Sequence, residues 1–106
     1  RSFRDGRIHP AGKPRTVADG LRTSLGSLTF AVIRSSVSEV VTVDEASIIA
    51  AMRLIWERMK VVVEPSAAVP LAALLEGLPA ARGRRVGVIL SGGNLDLDSL
   101  PWEPRA

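Results

Sequence analysis

The chain has 106 residues, 46% hydrophobic and 24% charged, with 9 Gly, 7 Pro, no Cys and a net charge of +3. Such a length supports one domain at most, burying roughly 60–65% of the unfolded surface. The apolar fraction argues against wholesale disorder, and no apolar run approaches the ~20 residues of a membrane-spanning helix. Absent cysteine removes disulfides and thiolate metal sites, and a single histidine, His9, leaves no basis for a His-rich metal centre or a Ser-His-Asp triad.

The charge is unevenly placed. Arg1, Arg4, Arg7, Lys13, Arg15 and Arg22 face only Asp5 and Asp19 within residues 1–22, whereas the remaining 84 residues carry 8 basic and 9 acidic side chains. The basic excess thus sits in an irregular leading segment and not on a helix face. Phe3, Phe30, Trp56 and Trp102 are the only aromatics available for base stacking. No nucleic-acid partner and no membrane partner are expected.

Residues 1–16 (RSFRDGRIHPAGKPRT) read as a loop, with Gly6, Pro10, Gly12 and Pro14 breaking any periodicity and no apolar core of a signal peptide. His9 has no motif around it and reads as a solvated loop histidine. Opening on Arg1, the segment reads as the interior of a longer protein. VADGLRTSLGS (17–27) mixes Gly, Ser and Thr, the composition of turns whose backbone N–H groups stay available. Leu28, Val32 and Ile33 predict a short helix over 28–37, and EVVTV (39–43) a short strand.

Thr42-Val43-Asp44-Glu45 has the form of a capping box. Ile48, Met52, Ile55, Trp56 and Met59 then trace one apolar stripe of an amphipathic helix, closed by Arg58 and Lys60 in its last turn. Pro65 suits a first helical position, and SAAVPLAALLEG (66–77) reads as a helix buried all round, kinked near Pro70 and stopped at Gly77. ARGRR (81–85) is a solvated turn. RVGVIL (85–90) is a continuous apolar run, expected as a strand buried on both faces of a parallel sheet. Alternation of this kind points to an α/β fold.

The run ends in Ser91-Gly92-Gly93-Asn94. Ligands of open α/β sheets bind just beyond strand ends, where glycines admit close backbone approach and a serine offers one hydroxyl. Alone, SGGN is equally a plain strand-to-loop turn. Taken in order with ADG (18–20), ERMK (57–60) and Glu64-Pro65, however, TVADGLRTSLG, WERMKVVVEPSAAV and GVILSGGNLDL resemble the C-terminal part of the serine/threonine dehydratase family. That family includes serine racemase, threonine ammonia-lyase and 3-hydroxyaspartate ammonia-lyase, and the resemblance runs from about Lys13 to Trp102.

The resemblance implies an α/β architecture, the C-terminal part of the large domain of a fold-type II (tryptophan synthase β-like) enzyme, incomplete without upstream sequence. It divides the chain into a basic loop segment (1–16), catalytic-domain sequence (17–102) and a tail (103–106). Pyridoxal 5'-phosphate is the implied cofactor. The Schiff-base lysine, the phosphate cup and a divalent-cation site all belong upstream, since Lys13 and Lys60 lack the family's Ser-x-Lys setting. No catalytic residue is therefore expected in this chain. By correspondence, Ser91 meets the pyridine nitrogen, Gly92 and Gly93 complete that turn, and Gly20 and Glu64 also lie by the cofactor. Asp19 and Thr23 fall on the substrate side, Thr23 where racemases tend to carry Ser. Ser66 replaces the Thr of the family's Glu-Pro-Thr. Lys60 and Asn94 resemble nucleotide-contacting positions, although a helix-end cation and a turn residue explain them better. Trp56 and Met59 read as core.

The implied reaction is elimination of water from a β-hydroxy amino acid such as serine or threonine, then release of ammonia and a 2-oxo acid. Alternatives are serine racemization and a catalytically dead interaction fragment. The implied partners are the N-terminal portion of the same enzyme, on the same or a separate chain, a second copy in a homodimer, and a small amino-acid substrate. The implied location is cytoplasmic.

Overall fold

Helices α3 (Glu45–Met59) and α4 (Pro65–Leu75) pack against each other and hold most of the core. The computed structural model describes residues 1–103. Before this pair come α1 (Ser2–Asp5), a 3₁₀ turn (Asp19–Leu21) and α2 (Ser27–Ser36); after it comes a second 3₁₀ turn (Pro79–Ala81). The expected short helix thus forms one residue earlier than predicted. The expected tail at 103–106 lies outside the described residues apart from Glu103.

The α3 stripe buries Ile48, Ala51, Met52 and Ile55, which meet Ala67, Ala68 and Ala72 of α4. Three alanines on one face of α4 let the helices approach closely. Trp56 is half-buried, its Nε1 donating to the Val63 carbonyl at 3.0 Å, and its ring meets Trp102 edge-on at 5.3 Å. Met59, expected in the core, is 57% exposed, because the stripe rotates away from α4 in the last turn. Lys60 ends the helix in a left-handed conformation (φ 58°), its Nζ donating to the Glu57 carbonyl at 2.8 Å.

The capping box does not form. Asp44 is the N-cap, and its Oδ1 accepts the Ser47 N–H at 2.6 Å. Its carboxylate reaches the third amide from its own position, and accepting that N–H holds its carboxyl below the usual carboxylate range. Glu45 is left free to accept the Val17 N–H at 2.6 Å, tying loop 17–20 to the start of α3. His9 is also not simply solvated: its Nε2 lies 2.7 Å from Oδ2 of Asp5, the last residue of the single helical turn that interrupts the expected 1–16 loop.

Pro65 opens α4 and the helix runs through Pro70 to Leu75, with Gly77 beyond it at φ 85°. It is not buried all round, however: Leu75 is exposed. No β-ladder forms over 39–43 or 85–90 among the described residues, and Val40, Val41, Val86 and Ile89 are exposed. Strands need neighbours to take up their N–H and C=O groups, and these segments lack them here. One bond does join extended segments: Glu64 N donates to the Gly92 carbonyl at 3.0 Å, laying residues 62–64 beside 92–93.

The proportions fit a piece of a larger domain. Its accessible surface is 8129 Å², against about 5,700 Å² for a free-standing protein of this mass. Its radius of gyration is 15.0 Å, against about 13 Å for a compact domain of this length. Among the described residues, no helix is long and apolar enough to cross a membrane.

Candidate functional site

Three segments far apart in sequence meet at the N-terminus of α4. Loop 17–20 is anchored by Ala18, which is fully buried in the α3–α4 core, and by the Glu45 carboxylate on Val17. Gly20 N donates to Asp19 Oδ1 at 2.8 Å and to Ser66 Oγ at 3.0 Å, on the first turn of α4. Glu64, the N-cap of α4, accepts Ala67 N through its carbonyl and gives its own N–H to Gly92. The 91–94 turn is thereby drawn against the Glu64–Ser66 corner.

The glycines make this closeness possible. A Cβ added at Gly20 would lie 2.9 Å from Ser66 Oγ; at Gly92, 2.6 Å from Glu64 Oε1; at Gly93, 2.7 Å from the Val62 carbonyl oxygen. All three are closer than ordinary carbon contacts: at Gly93 the neighbour is backbone and a methyl would force it to shift, whereas the Ser66 and Glu64 side chains beside Gly20 and Gly92 can swing aside. The glycines thus let loop 17–20 and the 91–94 turn pack directly against the 62–66 segment. Ser91, at the start of that turn, presents an exposed hydroxyl.

Most of the residues singled out in the sequence are brought together: Asp19, Gly20, Glu64, Ser91, Gly92 and Gly93 lie on these three segments. Asn94 and Asp19 also line an adjoining cleft of about 980 Å³ with Arg15, Arg22, Pro65 and Asp96. Arg22 donates through Nε and Nη2 to the Thr16 carbonyl, bracing the same loop. Lys60 does not line this cleft; its Nζ donates to the Glu57 carbonyl at the end of α3, so Lys60 and Asn94, each likened to a nucleotide-contacting position, lie apart. Thr23 is exposed, its Oγ1 3.4 Å from the Ser24 carbonyl, and is not held against the other site residues. Sequence reasoning passed over Ser66, visible only as a Ser-for-Thr exchange, and Glu45, which was assigned to a cap. Among the described residues no group of three or more His, Asp or Glu side chains could hold a metal ion.

A family profile described as "Pyridoxal-phosphate dependent enzyme" matches residues 1–92. The chain belongs to that family. It is 51% identical over 102 residues to the beta-hydroxyaspartate dehydratase of Paracoccus denitrificans, covering 96% of this chain and 32% of that protein. Against the serine racemase of Dictyostelium discoideum the identity is 49% over 104 residues, covering 94% of this chain and 32% of the relative. Among solved structures, the T.th. threonine deaminase superposes with a TM-score of 0.83 at 47% identity, covering 91% of this chain and 35% of that one. The fold is accordingly that of the fold-type II pyridoxal-phosphate enzymes, and the chain spans about a third of the length of these relatives.

Members of this family use pyridoxal phosphate, and the residues present fit part of such a site. A flat ring needs a side-chain-free backbone edge and a polar group for its nitrogen, and the Gly92-Gly93 turn beside the exposed Ser91 offers both. Neither lysine fits the role of carrying the cofactor: Lys60 is committed to the end of α3 and Lys13 lies in the exposed leading segment.

Proposed function

We propose that the complete protein is a pyridoxal-phosphate-dependent ammonia-lyase acting on a β-hydroxy amino acid such as serine, threonine or 3-hydroxyaspartate, with this chain as its C-terminal portion. The substrate loses its α-proton and β-hydroxyl as water, and hydrolysis of the product returns one water and yields a 2-oxo acid and ammonia. The observation that carries the reading is the convergence of loop 18–20, the Glu64–Ser66 corner and the Ser91–Gly93 turn on one backbone-lined edge. The similarity to a beta-hydroxyaspartate dehydratase supports the choice of reaction.

Bound pyridoxal phosphate supplies the electron sink for charge developing at the substrate α-carbon. The remaining work falls to the protein. Ser91 offers a neutral hydroxyl to the ring nitrogen, without the fixed negative charge a carboxylate would place there. Gly92 and Gly93 would let their backbone approach the ring, with Glu64 and Gly20 beside it. Asp19, on the loop that Gly20 ties to Ser66, would face the substrate. The lysine that carries the cofactor and removes or returns protons comes from upstream sequence. A second reading, serine racemization, draws support from the 49% identical serine racemase and uses the same α-proton step without loss of the hydroxyl.

The test is to incubate the complete, cofactor-loaded protein with L-serine, L-threonine and 3-hydroxyaspartate. Equimolar 2-oxo acid and ammonia are expected from at least one of them. Accumulation of D-serine without ammonia would overturn the lyase in favour of the racemase. Absence of cofactor absorbance and of both products would make the protein an inert relative.

A further inference from the structure

Loop 17–20 is held differently at its base and at its tip. Its base is fixed by burial of Ala18 and by the Glu45 carboxylate on Val17 N. At its tip, the Gly20 N–H is shared between Asp19 Oδ1 at 2.8 Å and Ser66 Oγ at 3.0 Å. The bond to Ser66 spans 46 residues of sequence and joins the 3₁₀ turn to the first turn of α4. The fit is tight, since a Cβ on Gly20 would lie 2.9 Å from that oxygen.

We infer that Ser66 is a positioning residue: its hydroxyl sets the gap between Asp19–Gly20 and the Glu64 corner, where cofactor and substrate meet. This rests on the function proposed above. The reason is competition for one donor. Two acceptors divide the Gly20 N–H, so each holds it incompletely. With Ser66 Oγ removed, Asp19 Oδ1, already the nearer acceptor, is the only one left to the amide. Its carboxylate then folds further onto its own backbone, away from a substrate-facing position, and the tip loses its tie to α4.

Ser66→Ala and Ser66→Thr separate this from a general packing effect, because threonine keeps the hydroxyl and alanine keeps only Cβ. In the complete, cofactor-loaded protein, Ser66→Ala should exchange the Gly20 amide about fivefold faster, as expected for loss of one ordinary hydrogen bond. It should raise the substrate KM by a similar factor with a smaller effect on kcat, and weaken cofactor binding in an absorbance titration. Ser66→Thr should match the parent in all three. The inference is overturned if Ser66→Ala leaves Gly20 exchange and KM unchanged, or if Ser66→Thr is as defective as Ser66→Ala. Should the protein release no ammonia from any β-hydroxy amino acid, the functional reading falls. Gly20 exchange and cofactor titration then still decide the role of Ser66.

Discussion

Replacing Trp56 tests how α3 supports the site, because its indole N–H donates to the carbonyl of Val63, the residue before Glu64. Trp56→Phe keeps an aromatic ring and removes that donor. Val63 is 1% exposed, so its carbonyl loses a partner where little water can replace it. The cost is about 1–3 kcal/mol. Trp56→Ala also forfeits the edge-on contact with Trp102 at 5.3 Å, worth about 0.5–1.5 kcal/mol, and the burial of half a ring, for about 3–5 kcal/mol in all. Urea midpoints of the complete protein, beside cofactor titration, supply the measurement. Stability and cofactor affinity should fall together, in the order parent, phenylalanine, alanine. A phenylalanine variant as stable as the parent would refute the hydrogen-bond argument. An alanine variant of normal stability with altered turnover alone would refute the structural role.

Gly93→Ala places a methyl 2.7 Å from the Val62 carbonyl, a backbone atom that cannot swing aside; about 1–3 kcal/mol of destabilisation is expected in melting experiments. Gly12→Ala, with nothing within 4 Å, should change stability by less than about 0.5 kcal/mol. Expressed alone, the chain exposes about 2,400 Å² beyond the norm for its mass and should bind ANS and melt without a sharp transition; a cooperative, ANS-silent monomer would contradict this. Asp44 is more acidic folded than unfolded, since it accepts the Ser47 N–H. Its contribution is therefore complete above the ordinary carboxylate range and is lost as pH falls through its folded pKa. Asp44→Asn should keep α3 capped, measured by circular dichroism, and flatten stability across that acid window.

Local chemistry was enough to specify several features directly from the order of residues. The 3.6-residue spacing from Ile48 to Ile55 sufficed for α3, Pro65 for the start of α4, and Gly77 for its left-handed end. Ser91-Gly92-Gly93, Asp19-Gly20 and Glu64 could be picked out together by their resemblance to family motifs in the same order, without knowing how they touch. Features that depend on competition and on neighbours were settled only by packing in three dimensions. Asp44 captured the α3 cap ahead of Thr42 because its carboxylate reaches Ser47 N, leaving Glu45 for Val17. Ser66 accepts the Gly20 N–H from 46 residues away, a contact no local spacing encodes. RVGVIL carries the pattern of a central strand, yet Val86 and Ile89 stand exposed. A strand's pattern records what it is meant to be buried against, but its ladder forms only where other strands supply the hydrogen bonds.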